Sequence, residues 1–429
     1  MTQPINTRGD NEYIALVRDN HNYRNLWLGQ VVSLLGDWFN LIGSASLIAA
    51  LTQSGFAVGG LFVVRMLAPF LVSPLAGVAA DRFDRRKLLI ITDILRAVIV
   101  LGFLLVRDAS MVWLLYVLTA VQLAISGFFF PAKNAILPDV VSKRQLGVAN
   151  AVSSATWSVM LALGAALGGL VSGAFGVYVA FIVDSLTFVI SAFFIWRVRY
   201  AHGPALQSSD KSIGAALRQY VDGLRYLGGE KDILAISLQK AAISLTTSGP
   251  FQVIQVVIAE QLFVIGRGGG ISLGILYTAV GVGTGLGPIV ARRFTGDRDR
   301  ALRHAIAWSY AITAVGLLLT VPLTGLGLVT LGTFLRGFGG GIGWVFSTQL
   351  LFQSVPDQVR GRVFSTEFAM FSLASAIAAA WAGAALDSPL GIAGAIWLMF
   401  ILNLVPAAAW TWWTLRKRGA QPAAKPIGD

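Results

Sequence analysis

Asp37 and Arg65 interrupt long apolar stretches, and each falls near the middle of a segment long enough to cross a membrane. An ionised side chain at the bilayer centre costs at least about 2.5 to 3.5 kcal/mol on insertion scales, so such groups are kept for a use and find a partner. With a first segment leaving from about Arg24 and a second returning from about Phe56, the helical rise puts Asp37 ~20 Å from the near end of its helix and Arg65 ~14 Å from the far end of its own. Adjacent and antiparallel, the two helices can present both side chains to one cavity, where pairing offsets much of the desolvation. A carboxylate that exchanges an arginine for a proton couples proton movement to whatever else binds there. A static salt bridge between helices, or ligation of sodium or of a bound solute, are the other uses the pair allows.

Further charges lie within apolar segments. Asp93 and Arg96 stand at i and i+3, the spacing of a local helical pair. Asp184 has no partner close in sequence and is a second candidate proton site. Lys240 and Glu367 sit near the ends of their segments, where a lysine can snorkel. Arg336, deep in a glycine-rich segment, suits an anionic head group or a pairing with Asp184 or Glu367, and the sequence does not choose between these. Four acids (Asp37, Asp93, Asp184, Glu367) balance four bases (Arg65, Arg96, Lys240, Arg336), so charge gives no preference for a cationic solute. Trp38, Phe39, Trp157, Phe251 and Trp344 are candidate walls of an apolar cavity, although such residues more often pack or face lipid.

Other chemistries find no support. Neither Gly268-Gly269-Gly270 nor the glycines between Gly337 and Gly343 precede the Lys-Ser/Thr of a phosphate loop. His21, His202 and His304 are scattered and the chain has no cysteine, so no metal site and no disulfide are expected. No nucleophile, base and orienting group assemble from motif spacing, which argues against an enzyme, and no cofactor is implied.

The elements that carry these charges are helices in a membrane. Of the 429 residues 55% are hydrophobic and only 13% charged, with mean hydropathy +0.71, against ~25% charged in soluble domains. Twelve apolar segments start near residues 24, 56, 88, 111, 147, 177, 233, 271, 303, 326, 362 and 391. Each reaches the ~20 residues a membrane helix needs, and none alternates like a barrel strand. The fold class is therefore an all-α membrane protein of twelve spans. Its divisions are a tail over 1–22, a six-helix bundle over 23–198, a polar linker over 199–232, a second bundle over 233–414 and a tail over 415–429. In the linker, Ile213, Leu217, Tyr220, Val221 and Leu224 share one face, as in a helix lying on the membrane surface. The start of the chain lacks the pattern of a cleaved signal peptide.

The net charge of +12 invites nucleic acid as a partner, but its distribution is topological. Of 33 Lys and Arg, 27 fall in tails and loops on one side and two, Arg107 and Arg267, on the other. The positive-inside rule puts both termini in the cytoplasm. The halves also echo each other: Ala80-Asp81-Arg82-Phe83 matches Ala291-Arg292-Arg293-Phe294, and Pro138-Asp139 matches Pro356-Asp357. Similar offsets suggest a duplicated bundle with a pathway between the copies.

Gly77-Val78-Ala79-Ala80-Asp81-Arg82-Phe83-Asp84-Arg85-Arg86, between the second and third spans, resembles the G-x-x-x-D-R-x-G-R-R signature of the major facilitator superfamily. Gly36-Asp37, Phe130 to Asp139 and Val355 to Val363 resemble the branch that includes macrolide and multidrug exporters, siderophore exporters and lysophospholipid transporters. The resemblance spans nearly the whole chain and implies a secondary transporter, a proton-coupled exporter of hydrophobic or amphipathic small molecules or a transporter of anionic lipid or siderophore. It implies a monomer in the plasma (bacterial inner) membrane, with cargo, protons and lipids as partners and no nucleic acid. A non-transporting receptor or scaffold is the rival reading, opposed by the intact loop signature and the midplane charges. In the loop, Gly77, Asp81, Arg82, Arg85 and Arg86 are the expected cytoplasmic gate, with Asp81 facing the positive end of the eleventh helix. The sequence departs from the pattern twice: Asp84 replaces a glycine, and the glycine-rich fifth span (Gly164 to Gly173) lacks the proline of the antiporter motif.

Overall fold

In hydrocarbon every backbone amide must bond within its own segment, and a helix does this without partners. A computed structural model of the chain describes residues 12–142, 145–199, 214 and 224–417. All regular structure among them is helical. A short helix α1 (Glu12–Asp19) precedes α2 (His21–Thr52), α3 (Gly55–Arg82), α4 (Arg85–Gly102), α5 (Val112–Val140), α6 (Leu146–Phe175) and α7 (Val177–Trp196). After the linker come α8 (Lys231–Ile243) and α9 (Gly249–Val257), then α10 (Gly270–Thr295), α11 (Asp299–Thr320), α12 (Leu326–Ser354), α13 (Asp357–Leu386) and α14 (Gly391–Lys417). The seventh span is α8 and α9 joined through a widened π turn at Ser244–Ser248, with a second π turn at Ile258–Leu262. Eleven of the twelve spans are apolar enough to cross a membrane on composition. The other, α12, is diluted by glycines and Arg336.

Caps fix several helix starts. Asn20 accepts the Tyr23 amide at 2.9 Å, and Ser54 accepts that of Ala57 at 3.2 Å. Asp84 accepts the Lys87 amide at 2.9 Å. Its φ is −57°, so the place where the family signature has glycine requires no left-handed backbone here, and aspartate serves as an N-cap.

Helices pack chiefly within their own half, α3 on α5 and α2 on α7 in the first, α12 on α10 and α11 in the second. The first core holds Ile42, Ile48, Leu61, Phe103 and Phe181, and the second Ile306, Leu350 and Trp410. Two helix pairs carry most of the packing between the halves, α3 with α13 and α6 with α10.

Two expectations change. The helix α5 runs through Pro131 and Pro138 to Val140, so Lys133, counted above with a loop, lies inside a helix and is only 6% exposed. The two Pro-Asp pairs are therefore not equivalent, one closing α5 and the other opening α13. Of the expected linker helix only 214 and 224–227 fall among the described residues, and 224–229 are helical. The side chains of Asp81 and Arg82 and the surroundings of Gly77 are likewise not among what the structure describes.

Candidate functional site

The polar centre of the first half is organised by Arg96 rather than Arg65. From α4, Arg96 Nη2 donates to Asp37 Oδ1 on α2, and Nη1 lies 3.3 Å from Ser33 Oγ and 3.6 Å from Asp93 Oδ1. Its guanidinium stacks 3.9 Å from the centroid of the Phe188 ring on α7. Arg96 is 1% exposed and Asp93 0%, whereas the Asp37 side chain keeps 29% of its surface. Asp37 is thus the group of the cluster that reaches open space. The expected Asp37–Arg65 pair is absent: Arg65 is partly buried and makes no ion pair with a described residue, though Asp37, Asp184 and Tyr277 lie within its electrostatic reach. Arg96 takes the carboxylate because α4 packs on α7, which in turn packs on α2, and brings the guanidinium in from the side.

Asp184 on α7 is wholly buried, and neither carboxylate oxygen has a hydrogen-bond partner. It lies against Gly36, where a Cβ would come 2.4 Å from its Oδ1. Gly36 is therefore needed for α7 to approach α2 so closely. Asn40, with its own amide nitrogen unpartnered, is the polar neighbour on α2.

In the second half, Lys240 Nζ bonds Glu367 Oε2 at 3.0 Å, and the ammonium sits 4.9 Å from the Trp344 ring centroid. With Glu367 taken, neither partner considered above for Arg336 pairs with it. Arg336 is 5% exposed, has no ion pair among the described residues, and lies 4.2 Å over the fully buried Phe251. Its Nε and the Tyr277 hydroxyl are both without hydrogen-bond partners. Tyr277 feels both Arg65 and Arg336 and meets Trp38 edge-on at 5.4 Å, so it touches both halves. Trp344 and Trp157 are 37% and 56% exposed.

Sequence reasoning missed three groups. Lys133 donates to Gln30 Oε1 at 2.8 Å inside the first half. Arg303 forms a two-pronged bridge to Asp232 at 2.9 and 2.8 Å that ties α11 to α8. The third, Asp387, joins the halves.

At the face away from the termini, the Asp387 carboxylate beyond α13 accepts the Ser54 hydroxyl at 2.6 Å and the Gly55 and Phe56 amides at 2.6 and 3.0 Å. Arg267 Nη1 to the Phe175 carbonyl and Thr278 Oγ1 to the Ala162 carbonyl, each 3.2 Å, add two links there. Among the described residues the hydrogen bonds between the halves all lie toward this side of the molecule. The packing agrees: a Cβ on Gly169 of α6 would fall 2.5 Å from Gly274 Cα on α10, and one on Gly59 of α3 would fall 2.6 Å from the Ala379 carbonyl on α13. Toward the terminal face, Gly147, Gly285 and Gly361 of the same helices have nothing within 4 Å of such a Cβ. On that face Arg85 bonds Asp139 Oδ2 at 2.8 Å and the Ala135 carbonyl at 3.0 Å, and Arg86 donates to the Trp196 carbonyl, all within the first half.

Known proteins resemble the chain in sequence and in fold. A family model described as transmembrane secretion effector, MFS_3, matches residues 15–425. The uncharacterised MFS-type transporter YfiS of Bacillus subtilis (strain 168) is 29% identical over 379 residues, covering 86% of this chain and 87% of that protein. The putative bacilysin exporter BacE of the same organism is 24% identical, with 83% and 86% covered. Macrolide efflux protein A of Streptococcus pyogenes is 22% identical, with 83% and 87% covered. In fold, the chain is similar to the nucleoside transporter NupG (TM-score 0.69, 12% identity, 92% and 100% covered). It is similar as well to an inward-facing, unoccupied bacterial homologue of the lysosomal transporter Spinster (TM-score 0.69, 15% identity, 95% and 100% covered). Relatives of this kind are transporters of small-molecule cargo and not enzymes. A twelve-helix membrane chain with this loop signature, matched by that family model from end to end, belongs to the transmembrane secretion effector family of the major facilitator superfamily.

Proposed function

We propose that the protein exports hydrophobic or amphipathic small molecules in exchange for protons, by alternating access, as a monomer in the bacterial inner membrane with both termini cytoplasmic. The reading rests on one observation: Asp37, Asp93 and Asp184 surround Arg96 and Arg65 in the middle of one half, and Asp37 alone of the three acids is open to the space beyond. Three carboxylates against two guanidiniums leave one negative charge unmatched in a low-dielectric site, and one proton balances it. Asp37 takes up and releases that proton while Arg96 holds its side chain in place. Closure at the face away from the termini corresponds to the half of the cycle that loads cargo and releases protons at the cytoplasm. The exporter and efflux names of two relatives support the direction of transport. In this reading Gly77, Asp81, Arg82, Arg85 and Arg86 form the cytoplasmic gate, and Trp38, Trp157 and Trp344 offer apolar contacts.

Proton release on adding cargo to purified protein, followed with a pH-sensitive dye, tests the coupling. It is expected with the native chain and lost in Asp37→Asn. Full gradient-driven transport by Asp37→Asn with an unchanged pH profile overturns it.

A second reading is favoured by Arg336 and Arg65, which carry charge at the centre without an ion-pair partner among the described residues. A lysophospholipid or siderophore would supply the anion. Arg336→Gln then abolishes uptake of such cargo, whereas neutral-drug export survives it.

A further inference from the structure

Three helix ends of the first half meet in a cleft of about 720 Å³ on the face that carries both termini. His21 and Arg24 line it from the first turn of α2, Arg86 from the start of α4, and Trp196, Arg197 and Arg199 from the end of α7. None of its described lining residues is acidic. The four arginines make no ion pair with a described residue, and their bonds to the protein leave donors over. Arg86 spends one Nη on the Trp196 carbonyl while its Nε has no partner. Arg24 spends one on the Arg18 carbonyl at 3.3 Å, and Arg199 is positioned by its backbone amide, which donates to Asn22 Oδ1 at 2.9 Å. A topological bias toward basic residues on one side explains arginines in loops. It does not explain why four converge on a concavity with no carboxylate among them.

The cleft opens beside lipid. Trp196 and Phe193, 61% and 51% exposed, pack together with centroids 6.2 Å apart on the outer side of α7. Tryptophan at a helix end marks the head-group level of the bilayer. Planar guanidiniums bind phosphate oxygens in pairs, and basic pockets between membrane helices hold acidic head groups. We propose that this cleft is a binding site for the phosphate head group of an acidic phospholipid, with the acyl chains lying along Trp196 and Phe193. The site is independent of cargo and of coupling ion.

The test uses the full chain purified in detergent, incubated with phosphatidylglycerol or phosphatidylcholine, with bound lipid read by intact-protein mass spectrometry. The native chain is expected to retain phosphatidylglycerol in preference. Arg24→Gln with Arg197→Gln weakens retention about fivefold for each arginine removed, and the corresponding Lys replacements, which keep the charge, restore most of it. Arg293→Gln with Arg300→Gln, on exposed positions of the second half, leaves retention unchanged. Excess inorganic phosphate leaves the lipid bound, because the chains hold it as well. Equal retention of the two lipids, equal loss in the second-half control, or displacement of the lipid by inorganic phosphate overturns the proposal. None of these readouts needs transport.

Discussion

Asp387 and Ser54 meet across the line between the halves, hydroxyl to carboxylate at 2.6 Å. Ser54 is also the N-cap of α3, so its oxygen accepts from Ala57 while its proton goes to Asp387. The same carboxylate takes two amides of the first turn of α3. A negative charge there meets the positive end of the helix dipole. The antiparallel partners α3 and α13 thus meet at the far face, where the aspartate just beyond the end of one caps the first turn of the other.

Asp387→Ala is predicted to loosen the closed face by about 1 to 2 kcal/mol. The chain has no cysteine, so Ser46→Cys, buried near that face, gives a clean reporter. Maleimide labelling of this reporter should accelerate about fivefold or more when Asp387 is replaced. An unchanged labelling rate would mean that the contact carries no closing energy.

Arg96→Met strands Asp93 in the core and frees Asp37. Removing one partner of a buried ion pair costs about 3 to 5 kcal/mol, and a drop in melting temperature on that scale is expected. Asp37→Asn, on a side chain 29% exposed, should cost far less stability while abolishing proton release. A variant pair with the opposite ranking contradicts Arg96 as the organiser.

Gly169 faces Gly274 so closely that any side chain prevents the approach. Gly169→Val should fold, because the rest of α6 stays packed in its own half, but should fail to seal the far face. Transport is expected to fall at least about tenfold, with Ser46→Cys labelled fast even when Asp387 is intact.

Lys240→Met should destabilise the second half by leaving Glu367, 3% exposed, charged and alone. Adding Glu367→Gln should recover most of the loss. Thermal unfolding of the two singles and the double makes a cycle, and additive effects would remove the pair as a stabilising unit.

Much of the fold is legible because hydropathy reports span length directly. Even α12, thinned by glycine, is readable as an uninterrupted segment between polar loops. The end of α5 was hidden by Pro131 and Pro138, which read as breakers in water, although a packed membrane helix tolerates the missing amide bonds. The cluster was half legible. Asp37, Arg65 and Asp184 announce themselves as isolated charges, but Arg96 has Asp93 one turn away, and that local pair concealed its bond to a residue 59 positions earlier. Asp387 sits in a turn where an aspartate is ordinary, and its partners lie more than 330 positions away. Only packing brings them together.

The seventh span carries a last consequence. Each π turn adds a residue to the helical count, which swings everything beyond it by about 100° around the axis. With one wide turn at Ser244–Ser248 and another at Ile258–Leu262, the short stretch between them, bearing Phe251 under Arg336 and Gln255 beside Tyr277, is set as a separate roller on a common shaft. Converting either wide turn to a regular one re-aims those two side chains while both ends of the span stay where their neighbours hold them.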